Sequence, residues 1–229
     1  MTTKKNLLAQ IDKTNKQISD SPIIKGLIDG GLSLIPFAGA VISSSLDTRA
    51  FQLFEENSRR FAEEVRRTTI ELDESKLDKE FLESQEFTSL LISTLTRNAH
   101  TYKQEKVKVF ARIFVSFFTF PGSKAPYKDG FVQIIDELDI DHIRILGFIF
   151  ERVNNPIEND ERLRDRVLAD DISLNLQIPM GRTLAYCQQL LKFGLVRDWG
   201  VGKFGKYEPD KFTITDYGRE LAQLLISNE

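Results

Sequence analysis

Arg182, Tyr186 and Gln189 stand at i, i+4 and i+7, so in a helix over about 180–193 they share one face. Leu184, Cys187, Leu190 and Leu191 supply the buried side of that helix. Groups that make or break bonds are scarcer. Cys187 falls on the inward side, which predicts a buried structural thiol rather than a nucleophile. His100 and His142 each lie near a helix end, and neither has a Ser or Cys partner at motif spacing. Two histidines and one cysteine exclude a Cys/His zinc site within one chain, so neither metal nor cofactor is expected. Gly200, Gly202 and Gly205 match G-x-G-x-x-G and follow a strand. The stretch after them, Tyr207-Glu208-Pro209-Asp210, leads into a second strand and not into the helix a dinucleotide site requires. A flexible turn is the expectation there. Carboxylates are scattered among lysines and arginines, which reads as solvated helix faces, and the chain has neither a P-loop nor H-E-x-x-H. No catalytic residue emerges, and the chain is expected not to be an enzyme.

The elements that must position these groups are mostly helical. The 229 residues are 41% hydrophobic and 28% charged, the balance of an ordinary globular chain, long enough for one large domain or two modest ones. Lys and Arg number 31 against 34 Asp and Glu, so no global charge points to nucleic acid or an anionic membrane. A single cysteine cannot form an internal disulfide and fits a reducing cytoplasm. Lys4 and Lys5 precede Leu7-Leu8, but Gln10, Asp12 and Lys13 interrupt the apolar run, so no signal peptide is expected.

Residues 1–140 read as nearly all helix, beginning with an amphipathic piece at about 4–19 and a proline-initiated segment after Ser21-Pro22. Asp47 is expected to cap a long charged helix to about Leu72, with Phe51, Phe54, Phe61, Val65 and Leu72 on its apolar face. Helices follow near 79–82, 85–101 and 103–119, the last unusually aromatic. Residues 121–126 form the clearest loop. Beyond it, helices are expected near 131–138, from about Asp141 to Pro156, and at 161–171 and 180–193. The only convincing strand signals are 195–199 and 211–214, which form a hairpin around the glycine-rich tip, and Thr215 or Asp216 caps a last helix.

The words along 168–196 carry a resemblance. Residues 168–193, followed by Gly194-Leu195-Val196, resemble the second helix, turn and third helix of bacterial winged helix-turn-helix regulators. Phe212-Thr213-Ile214-Thr215-Asp216-Tyr217-Gly218 is similar to the exit from their wing. Gly194 can take the left-handed conformation that stops the third helix. The expected fold is therefore mainly α: an N-terminal helical bundle over 1–126, then a C-terminal winged helix with a small β-hairpin over 127–229, core 141–229. The resemblance implies a DNA-binding transcriptional regulator, with the third helix in the major groove of double-stranded DNA. It implies that Arg182, Tyr186 and Gln189 meet bases or phosphates, while Lys203, Lys206 and Lys211 flank the wing.

Residues 141–229 hold 12 Lys and Arg against 14 Asp and Glu, a net of −2, whereas phosphate contact favours a basic face. Two readings therefore stand, a DNA-binding module and a module that binds a protein partner. A homo-oligomer, with a dimer favoured, is expected because one winged helix usually reads a half-site. Leu27–Leu46, within the Gly-rich apolar segment 26–46, carries one charge, Asp29, over a length near the minimum for a bilayer span. A buried, kinked helix or hairpin is favoured there over membrane insertion, which would make the chain a membrane-acting effector working through residues 27–46. Residues 33–40, 81–87 and 106–114 resemble a loose set of uncharacterised bacterial helical-bundle proteins, a likeness that imports no activity.

Overall fold

The structure, a computed structural model, describes residues 48–70, 72, 74–99, 101, 103–155, 166–199 and 211–226. Among them are nine helices and a small three-stranded antiparallel sheet, arranged as two compact units that part between Lys128 and Asp129. Asp47, Ser21-Pro22 and the apolar segment 26–46 lie outside the described residues. No helix among the described residues is long and apolar enough to cross a membrane.

The N-terminal unit is built on α1 (Thr48–Ile70), α2 (Lys79–Leu82), α3 (Gln85–Ala99) and α4 (Gln104–Phe117). Helix α1 buries Phe54, Phe61 and Val65 at helical spacing and exposes Glu55, Glu56 and Arg59. Leu72, expected on the apolar face, is only half-buried. Helix α4 is buried at every position from Phe110 onward except Arg112, the mark of a helix surrounded on all sides. Phe114 is the hub: its ring lies 5.5 Å from Phe61, 5.5 Å from Phe87 and 5.6 Å from Phe118. Two buried amides tie α1 to α3. Asn57 donates to the Asn98 carbonyl at 3.1 Å, and Asn98 returns a bond to the Asn57 carbonyl at 3.1 Å. Asp78 caps α2 by accepting the Phe81 N–H at 3.0 Å and pairs with Lys124 at 3.1 Å. That backbone bond, more than Lys124, holds its carboxyl below the usual aspartate value against the opposing effect of burial.

In the C-terminal unit the order is α5 (Lys128–Glu137), α6 (Ile140–Asn154), β1 (Val167–Leu168), α7 (Ala169–Leu176), α8 (Met180–Lys192), β2 (Val196–Asp198), β3 (Lys211–Ile214) and α9 (Asp216–Ile226). The strands run β1-β3-β2, with Val167 opposite Phe212 and Val196 opposite Ile214. The expected helix at 161–171 is corrected: Val167 and Leu168 are a strand, and the helix begins at Ala169. A two-residue strand has no periodicity of its own and exists only because β3 pairs with it. The hairpin is accordingly the larger part of a three-stranded sheet.

Helix α6 is the central post. Its Ile145, Leu146 and Ile149 are fully buried where α7, α8, α9 and the sheet meet it. Helix α8 ends as its glycine predicts. Gly194 takes φ +71°, its N–H bonds the Leu191 carbonyl at 2.9 Å, and the Leu195 N–H bonds the Leu190 carbonyl at 3.0 Å. Thr215 caps α9 by accepting the Gly218 N–H at 2.9 Å, and its hydroxyl donates to the Gly194 carbonyl at 2.7 Å. The start of α9 is thereby pinned to the end of α8.

Candidate functional site

The outward face of α8 can be built from its inward one. Thr183, Cys187 and Leu190, at i, i+4 and i+7, are buried completely. Leu184 and Leu191, expected in the buried set, are only half-buried, and Thr183 takes the inward place instead. Its hydroxyl is satisfied by the Ile178 carbonyl at 3.2 Å, so the helix tolerates a polar residue there. Burial pushes the Cys187 thiol up to about 12, which makes it an inert filler.

With that stripe turned inward, Gly181, Arg182, Ala185, Gln188, Gln189 and Lys192 are exposed. Met180–Lys192 contains no carboxylate. Gly181 and Ala185 keep the middle of the face low, so a partner can approach the helix backbone while Arg182, Gln188, Gln189 and Lys192 reach around it. Spacing alone put Arg182 and Gln189 on the outward face but did not single out Gln188 and Lys192, which are exposed as well, because the direction of the face depends on which residues the core takes.

Two of the expected contact residues are held by a histidine. His142, buried in the first turn of α6, accepts the Asp139 N–H at its Nδ1 at 3.0 Å. The proton therefore resides on Nε2, which donates to Oε1 of Gln189. Tyr186 is half-buried and tilted against the His142 ring, centroids 4.2 Å apart. Gln189 is exposed yet oriented, and Tyr186 serves more as a brace than as a free contact. Lys203 and Lys206 lie outside the described residues. Lys211 is the first residue of β3 and half-buried.

The His142 arrangement carries a pH dependence. Burial holds its pKa below the ordinary 6.5, against the opposing pulls of the Gln189 bond and the Asp139 and Asp141 charges. The unfolded chain takes up the proton first, so the stability it contributes is full above pH 6.5 and is lost as pH falls toward the lowered value. Thermal melts between pH 7.5 and 5 are expected to fall more steeply for the wild type than for His142→Asn. Equal slopes would remove His142 as the cause.

The turn from α7 into α8 is fixed from both sides. Gln177 closes α7 in the left-handed region at φ 55°, and Arg144 of α6 donates to the Leu176 carbonyl at 3.0 Å. Ser173 accepts the Ile178 N–H on its carbonyl at 3.1 Å and donates its hydroxyl to the Ile178 carbonyl at 2.7 Å. Asp170 and Asp171 occupy the first turn of α7.

No known protein family, curated protein or solved structure matches this chain. What the site can do rests on its own chemistry.

Proposed function

We propose that the C-terminal unit is a winged helix that binds double-stranded DNA, with α8 as the helix that enters the major groove. The observation that carries this reading is the exposed face of α8, which offers Arg182, Gln188, Gln189 and Lys192 around a low centre without one carboxylate. Arginine and glutamine are the side chains that pair bidentately with guanine and adenine edges. The order of α6, β1, α7, α8, β2, β3, with the sheet running β1-β3-β2, supports the winged-helix assignment. Asp170 and Asp171 repel phosphate from the start of α7, which directs the contact onto α8 and the sheet side. In this reading the chain is a cytoplasmic regulator, and its N-terminal helices serve oligomerisation, as a dimer, or sensing.

Anisotropy of a labelled duplex of mixed sequence, titrated with full-length protein at low and moderate salt, tests the reading. Affinity is expected to fall steeply with salt. Arg182→Ala is expected to cost about 1–3 kcal/mol. Ala185→Glu, which sets a carboxylate on an exposed helical position, is expected to abolish binding while leaving the melt unchanged. Absence of binding at micromolar protein in low salt, or indifference to Ala185→Glu, overturns the proposal. The second reading, a protein partner, is favoured by one observation: Leu174 on α7 is 76% exposed. It gains if Leu174→Ser changes association while the duplex titration stays flat.

A further inference from the structure

The alternation of residues in β1, β2 and β3 sorts the sheet into two faces. Val167, Val196, Asp198, Phe212 and Ile214 are buried on the inner one. The outer face takes the residues between them, Arg166, Leu168, Arg197, Trp199, Lys211 and Thr213. Arg197 stands opposite Thr213 on β3, and continuing the β1 register by one residue sets Arg166 beside Thr213 from the other edge. Trp199 is fixed opposite Lys211 by its N–H, which bonds the Lys211 carbonyl at 2.9 Å.

The side chains then converge on the one indole. The Arg166 guanidinium lies 4.0 Å from the Trp199 ring centroid, reaching it across the central strand, and that of Arg197 lies 5.5 Å away. This explains why Thr213, on the face turned from the core, is only 3% exposed. Among the described residues no carboxylate pairs with either guanidinium, and the buried Nε1–H of Trp199 has no acceptor. Arg166, Lys211 and Arg197 make this face cationic, with no acidic residue among the described strand positions on it, in a unit whose net charge is negative. Two guanidiniums pre-set by an aromatic plate, with no carboxylate partner among the described residues, match the oxygens of a phosphodiester.

We infer that the outer face of the sheet is a second DNA contact, in which Arg166 and Arg197, braced on Trp199, hold backbone phosphates beside the groove that α8 occupies. The inference rests on the DNA reading of α8 but uses different residues and a different kind of contact. Phosphate contacts position a protein without reading sequence, so this face contributes affinity that is the same for every duplex.

Trp199 is the only tryptophan, so its fluorescence reports the site directly. Full-length protein is titrated with mixed-sequence duplexes, reading Trp199 emission and DNA anisotropy together over a range of salt. Duplex is expected to change the Trp199 emission. Arg166→Gln with Arg197→Gln keeps the aliphatic stems on the indole and removes both charges. That variant is expected to bind every duplex roughly tenfold more weakly, with a salt slope lower by about two. Arg182→Ala is expected instead to alter preference among duplexes, and to leave the Trp199 response in place. A melt at the wild-type temperature certifies the fold of the double variant; if it melts early, the single Arg197→Gln, at an exposed position, is read in its place with a slope lower by about one. An unchanged slope in the charge-removal variant, with wild type and Arg182→Ala behaving as above, overturns the sheet-face contact and spares α8. Failure of the wild type to bind any duplex overturns both.

Discussion

Gly218→Ala is expected to cost the C-terminal unit about 3–5 kcal/mol, the scale of a severe core defect. A Cβ at this position would lie 1.9 Å from the Leu195 carbonyl oxygen and 2.7 Å from its carbonyl carbon. Both are backbone atoms in the turn between α8 and β2, and the same carbonyl already accepts the Thr215 N–H at 3.1 Å. Neither side can yield without breaking the Thr215 cap or the strand start at Val196. Domains of this size are stable by roughly 5–15 kcal/mol, so a large share of the margin would go. Two controls sharpen the result. Gly147 and Gly181 sit in helices with nothing within 4 Å of an added Cβ, so alanine there is expected to gain up to about 1 kcal/mol. Urea titration followed by Trp199 fluorescence reads all three variants. A Gly218→Ala midpoint within error of wild type would mean that α9 does not approach Leu195 this closely.

Phe114→Ala is expected to destabilise the N-terminal unit by about 3–5 kcal/mol. Its ring touches three others from α1, α3 and the end of α4, so truncation leaves a hole bordered by Phe61, Phe87 and Phe118. Large aromatic neighbours on separate helices cannot all move inward to fill it, which places the cost at the upper end of the large-to-small range. Phe114→Leu refills most of the volume and is expected to cost about a third as much. Far-UV circular dichroism in urea measures both. Equal losses for the two substitutions would show that ring geometry, not volume, sets the energy.

Much of this architecture is legible in the chain because its helices bury apolar residues at helical spacing. Ile145, Leu146 and Ile149 mark α6, and Phe110, Ala111 and Phe114 mark α4. Gly194 and Thr215 announce their turns because their roles are local, a left-handed φ and a hydroxyl cap. Features made by pairing of distant segments are a different matter. Val167-Leu168 is a strand only in the presence of Phe212, and the Arg166–Trp199–Arg197 cluster exists only once the strand register is known. Asn57 and Asn98 are polar residues on inward faces, which no hydropathy pattern selects; each is buried because the other accepts its amide. On α8, spacing grouped Arg182 with Gln189 correctly, but the half-burial of Tyr186 against His142 could not be foreseen from either residue alone.

Cys187 gives the molecule a built-in clock. Cys187 is fully buried, so an alkylating reagent reaches that sulfur only when the packing beneath α8 opens, and even then attack needs the thiolate. The modification rate of an unaltered chain therefore meters how often α8 comes away from the core, and a bound ligand that clamps the helix down would slow it in proportion to its grip.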